Sequence, residues 1–119
     1  MHADPDTAIV FSPDHTALAE WYRTVFDLPD PAVAPGHVGF ALPSLYLGFD
    51  EGGERSAPSG TVSLWFRVDD VDEAFRAAVE AGAGTIYAPV DKPWGDRLAS
   101  ITDPDGNRVG LSQRRSSGP

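Results

Sequence analysis

The sequence predicts an α+β fold made of two tandem βαβββ modules, and three observations carry that reading. The order strand, helix, strand, strand, strand is legible twice within 119 residues. Each helix bears an apolar stripe at helical spacing, and the strands alternate apolar with polar residues as half-buried sheets do. The length suits one domain over 1–119 and is too short for two independent cores. Module 1 is expected at about 5–50, a linker at about 51–60 and module 2 at about 61–113.

Module 1 opens with the apolar, β-branched run "TAIVF" at 7–11. "SPDHTALAEWYRTVFDL" then places Leu18, Trp21, Tyr22, Val25 and Phe26 at helical spacing, with Ser12 or Asp14 as N-cap. The Pro-rich "PDPAVAPG" admits at most a short edge strand. In "HVGFALPSLYLGFD", Val38, Phe40 and Leu42 alternate, then Leu45, Leu47 and Phe49, so two strands meet at a tight Pro-Ser corner.

Module 2 repeats the plan. "TVSLWFRV" at 61–68 is a strand, and "DDVDEAFRAAVEAGAG" carries the stripe Val71, Ala74, Phe75, Ala78, Val79, with Asp70 and Glu73 spaced as a capping box and Gly82 as the stop. "GTIYAPV", "DRLASIT" and "NRVGLSQ" complete the module, the last two joined through "DPDG". The Gly- and Ser-rich stretch "DEGGERSAPSG" at 50–60 lacks any period and reads as a linker, with Asp50 and Glu51 in a structural or solvated role beside it.

Composition narrows the function classes. Nine Lys and Arg against 18 Asp and Glu give a formal net charge of −9, which repels phosphate backbones and anionic lipid, so neither nucleic acid nor membrane is an expected partner. No Cys means no thiolate nucleophile, disulfide or Cys-based metal site. "MHADPDTAIVF" has neither a basic n-region nor an apolar h-region, and the expected location is the cytoplasm. There is no GxSxG elbow and no phosphate-binding loop. The Ser, Asp and His of "SPDH" are too close in sequence to converge as a triad. His2, His15 and His37 lack a visible carboxylate partner; His37 alone falls on the strand face opposite the apolar one.

The βαβββ doublet, "WYRTVFDL", "FRVDDVDEAFRAAVEAGA" and above all "PWGDRLASITDPDGNRVGL" resemble the vicinal oxygen chelate superfamily, the group of glyoxalases, bleomycin resistance proteins and dioxygenases. The resemblance covers nearly the whole chain. It implies a curved mixed sheet around a cleft, with helices on the convex face, and a homodimer. Alternation then sends Ala8, Val10, Leu45, Leu47, Phe49, Leu64, Phe66, Val68, Val109 and Leu111 toward the helices. Thr7, Ile9, Phe11, Tyr46, Gly48, Ser63, Trp65, Arg67, Gly110 and Ser112 face the cleft.

Metal-dependent members hold a divalent ion with His and Glu at four strand positions. The resemblance places these at Thr7, Tyr46, Ser63 and Gly110, where this chain has no imidazole or carboxylate. No metal and no cofactor are therefore expected, and no catalytic residue is assigned. Without metal, the titratable groups available for acid–base work are His37, Tyr46, Arg67 and Asp96. Gly110, inside a strand, marks either a bulge or room above the sheet. The candidate ligand-binding residues are Phe11, His37, Tyr46, Ser63, Trp65, Arg67, Trp94 and Gly110.

Aromatic rings suit a planar ligand, and Asp50, Glu51, Asp91 and Asp96 at the rim favour a cationic one. The expected function is sequestration, without turnover, of a planar antibiotic-like molecule, as in the metal-free, bleomycin-resistance-like branch. The alternatives are a lyase, isomerase or oxygenase with altered metal ligands, and a metabolite-binding domain.

Overall fold

The computed structural model describes residues 1, 2, 4–52 and 63–114. The chain divides into two compact units, Met1–Arg55 and Ser56–Pro119. In the first, strand β1 (Thr7–Ser12) leads into helix α1 (His15–Phe26) through a double cap: the Ser12 hydroxyl accepts the N–H of Asp14 (3.0 Å), and the Asp14 carboxylate accepts that of Ala17 (3.4 Å). The helix stops at Asp27, which adopts the left-handed conformation (φ 52°), and the Leu28 N–H closes onto the Arg23 carbonyl at 3.0 Å. Strands β2 (Ala32–Ala34), β3 (His37–Ala41) and β4 (Tyr46–Glu51) follow. The second unit repeats this with β5 (Leu64–Arg67), α2 (Val71–Glu80), β6 (Gly84–Asp91), β7 (Asp96–Thr102) and β8 (Arg108–Arg114).

Both units have the same topology, in sheets of order β1-β4-β3-β2 and β5-β8-β7-β6. In each, the first strand pairs parallel with the last, and the remaining pairs are antiparallel. Each unit thus has its own four-stranded mixed sheet, and the repeat read from the sequence is a repeat of topology.

The sheet faces follow the alternation. In the first unit Leu18, Ala19 and Tyr22 of α1 pack on Val38, Phe40, Leu47 and Phe49, all buried, and the Tyr22 ring meets Phe49 at 4.9 Å. In the second, Val71 and Ala78 of α2 are buried, as are Ala99, Ile101, Val109 and Leu111. Val79, expected in the α2 stripe, is instead exposed.

Two devices anchor the second unit. Gln113 of β8 accepts the Val71 N–H at 2.7 Å, tying the start of α2 to the sheet beside the Asp70 cap. In the "DPDGN" turn the buried Asp103 carboxylate accepts the N–H groups of Asp105 and Asn107 and the Asn107 side-chain amide, each at 2.9 Å. Pro89 is tolerated in β6 because that strand lies at the sheet edge, with its register on β7 shifting between Thr85 and Val90.

The expected linker at 51–60 is corrected at its start. Glu51 closes β4, and Asp50 is a paired strand residue, because the β3–β4 hairpin register continues to His37↔Asp50. Residues 53–62 lie outside the described residues. Among the described residues no helix is long and apolar enough to cross a membrane.

Candidate functional site

Each unit carries an aromatic surface on the sheet face opposite the helix-packed residues. In the second unit that surface is built on Gly110. Trp65 of β5 sits directly beside Gly110 of β8 in the parallel register, on the face opposite Val109 and Leu111. A Cβ at residue 110 would stand 1.9, 2.0 and 2.3 Å from Cδ2, Cε3 and Cε2 of the indole, so the ring system lies across the bare glycine. The Trp65 indole N–H donates to the Ser63 hydroxyl at 2.9 Å, fixing the ring's long axis, while the residue remains 43% exposed.

The β7–β8 and β5–β8 registers run through Gly110 without a shift, so the expected bulge is absent there. The expected open space above the sheet is filled as well: Gly110 is buried beneath Trp65 and offers no contact surface of its own. The physical reason is steric, since an indole can lie flat on a strand only where its neighbour has no side chain.

The first unit uses the same device. His37 opposes Asp50 across the β3–β4 hairpin, and the paired glycines Gly39 and Gly48 form the floor between Tyr46 and His37. A Cβ on Gly39 would fall 1.6 Å from the Tyr46 hydroxyl and 2.7 Å from His37 Nε2, and one on Gly48 would fall 3.1 Å from His37 Cε1. In the space the glycines leave, His37 Nδ1 is hydrogen-bonded to the Asp50 carboxylate and His37 Nε2 to the Tyr46 hydroxyl at 2.6 Å. The His37 and Tyr46 ring planes lie 8° apart. Ile9 and Phe11 of β1 border this row in register with Gly48 and Asp50, and Phe11 is exposed.

The sequence reading placed Asp50 at an acidic rim and missed its pairing with His37. Its alternation with Tyr46 and Gly48 in β4, and the hairpin register to His37, were the available signals. The Gly-rich composition that follows it concealed them.

Phe11, His37 and Tyr46 are thus neighbours in the first unit, and Ser63, Trp65 and Gly110 in the second. Arg67 is exposed two residues beyond Trp65 on the same strand. Trp94 is also exposed, in the β6–β7 turn, where the Lys92 ammonium lies 5.9 Å from its ring and 5.5 Å from Tyr87. The acidic rim expected from Asp50 and Asp91 is weakened. Asp50 faces His37, and Asp91 shares Arg97 with Asp72 at 3.2 Å, Asp72 itself holding Arg97 by two contacts of 2.9 Å. Those hydrogen bonds from Arg97 hold the Asp72 carboxyl below its ordinary range and raise the guanidinium further.

The metal that the family resemblance implies does not fit the side chains at its four positions. The Thr7 hydroxyl donates to Asp6 at 2.9 Å, the Tyr46 hydroxyl is bonded to His37, the Ser63 hydroxyl accepts from Trp65, and Gly110 has no side chain. Among the described residues no three His, Cys, Asp or Glu side chains converge as a metal centre would require.

A groove of about 440 Å³ lies on the helix side of the first sheet, bordered by His15, Glu20, Pro31, Val33, Val38 and Phe40. Periodicity gave no sign of it, because it forms where short β2 leaves the start of α1 only partly covered.

Comparison with known proteins follows the same lines. A family model described as the glyoxalase/bleomycin resistance protein/dioxygenase superfamily matches residues 5–111. An uncharacterised protein of Mycobacterium tuberculosis is 39% identical over 116 residues, covering 84% of this chain and 68% of its own length. A glyoxalase/bleomycin resistance protein/dioxygenase family enzyme from Burkholderia phytofirmans superposes with a TM-score of 0.81 at 25% identity, covering 94% of this chain and 99% of its own. The lactoylglutathione lyase of Agrobacterium tumefaciens superposes at 0.72 with 22% identity, covering 99% and 98%. The chain belongs to the glyoxalase/bleomycin resistance protein/dioxygenase superfamily.

Proposed function

We propose that this chain is a small-molecule binding protein that sequesters a planar, antibiotic-like ligand by stacking and releases it unchanged. The observation that carries the reading is the Trp65 indole laid flat over Gly110, with one face against the sheet and 43% of the residue exposed. A ring seated in this way is pre-ordered, so a planar guest gains stacking contact without first immobilising the side chain. A net charge of −9 favours a cationic guest at long range. Side chains at the four family metal positions that are absent or already hydrogen-bonded support a reading without metal chemistry. A homodimer working in the cytoplasm is part of the same proposal.

A thermal-shift comparison tests it. Planar cationic dyes such as proflavine are expected to raise the melting temperature with the logarithm of their concentration above Kd, whereas Zn²⁺, Ni²⁺, Mn²⁺ and Fe²⁺ are expected to leave it unchanged. Stabilisation by a divalent ion and none by any planar compound overturns the proposal in favour of a metal-dependent enzyme.

A further inference from the structure

The row Asp50–His37–Tyr46 is not needed for a stacking platform on Trp65, and it is costly to build. Gly39 and Gly48 face each other across β3 and β4, and each glycine inside a strand costs backbone entropy that alanine would not. What the two glycines make possible is a continuous hydrogen-bonded chain, in which a carboxylate holds one imidazole nitrogen and the other imidazole nitrogen holds a phenol. Local rules broken in this way concentrate at functional sites.

The chain has a direction. When Asp50 is ionised and the imidazole neutral, His37 Nδ1–H donates to Asp50, Nε2 presents its lone pair to Tyr46, and Tyr46 is the donor in that contact. The Tyr46 oxygen then has acceptor capacity left for a proton from outside. The His37 and Asp50 side chains are 28% and 31% exposed, so the row can be reached. Ile9 and Phe11 beside it supply apolar surface.

From this geometry we infer that this row is a proton-accepting relay, which takes up a weakly acidic phenol or enol as its anion. The ligand O–H bond breaks as its proton passes to the Tyr46 oxygen. The original Tyr46 proton passes to His37 Nε2, and the resulting imidazolium is paired with Asp50. The ligand oxygen keeps the electron pair and accepts a hydrogen bond from Tyr46. One neutral molecule enters and no net charge is added to a chain already at −9. Histidine is the side chain suited to holding a proton reversibly near neutral pH. The charged or titratable groups beside His37 are Asp50 and Tyr46, with Glu51 next in β4. The described neighbours in register from the other strands, Ala34 of β2 and Ile9 and Phe11 of β1, carry none.

The test uses p-nitrophenol, whose anion is visible by absorbance, titrated with the full-length protein below the free phenol's own pKa. The inference predicts that the bound phenol ionises more readily by about one pKa unit, a tenfold rise in the ratio of anion to neutral form. Tyr46→Phe and His37→Gln are expected to remove that shift, and Asp50→Asn to reduce it. Circular dichroism on each variant separates loss of the relay from loss of fold. Tyr46→Phe keeps the ring and its packing, so it remains decisive should His37→Gln fail to fold. Absence of binding, binding with an unchanged ionised fraction, or an anion shift that survives Tyr46→Phe each overturns the relay. The Trp65 platform is tested separately, by Trp65→Ala.

Discussion

Replacing Gly110 with alanine sets a single methyl group against the Trp65 indole. The added Cβ would lie 1.9–2.3 Å from three atoms of the indole's six-membered ring, whereas carbon atoms pack at about 3.5–4.0 Å, so the indole has to move outward. Trp65 is 43% exposed, and its way out is open. Lifting the ring exposes the face now against the sheet, about 60–100 Å² of the 150–250 Å² that a buried aromatic covers. At about 25 cal/mol per Å² this costs roughly 1.5–2.5 kcal/mol.

The substitution also removes a glycine from a strand, which returns about 0.5–1 kcal/mol, and residue 110 does not have the positive φ that would penalise alanine. Gly110→Ala alone is therefore expected to destabilise by about 0.5–2 kcal/mol. In a Trp65→Ala background the clash is gone, and the same change is expected to stabilise by about 0.5–1 kcal/mol. Urea denaturation of the wild type, both single variants and the double variant measures the coupling, expected at about 1.5–2.5 kcal/mol. Additivity to within about 0.3 kcal/mol refutes the reasoning, because the ring then does not rest on residue 110.

Two other features make separate predictions. Asp103→Ala leaves two backbone N–H groups and the Asn107 amide without their buried acceptor, and is expected to lower stability by about 2–3 kcal/mol in chemical denaturation; a loss below half of that contradicts the role given to the "DPDGN" turn. Asp72, held below its ordinary carboxyl range by hydrogen bonds from Arg97, binds its proton less tightly folded than unfolded. Its contribution to stability is present above the unfolded-state carboxyl range and is lost as pH falls through the depressed folded value. NMR titration of the Asp72 carboxyl should move upward in Arg97→Gln, and an unmoved titration denies the pairing. Both groups face solvent, so the effect on overall stability is small.

Much of this architecture is legible in the sequence because each module states its periods plainly. Leu47 and Phe49, or Val109 and Leu111, alternate with their neighbours, and the α1 residues Leu18 and Tyr22 repeat at helical spacing, so faces and elements follow from pattern alone. Trp65 and Gly110 are visible as members of one face, but their contact is not. It requires the parallel pairing of β5 with β8, which joins residues far apart in the chain. Asp50 was obscured for a different reason: composition marks the segment after it as irregular, and only the hairpin register shows that the strand continues through it. The groove beside His15 depends on how far a three-residue edge strand covers a helix, and no periodicity encodes that.

The stacking platform is the central claim, and calorimetric titration with proflavine tests it most directly. Wild-type protein should bind with a stoichiometry of one per Trp65 surface and release the dye unchanged, and Trp65→Ala should weaken binding by about 1–3 kcal/mol with the fold intact. Equal affinity in the wild type and in Trp65→Ala would contradict it.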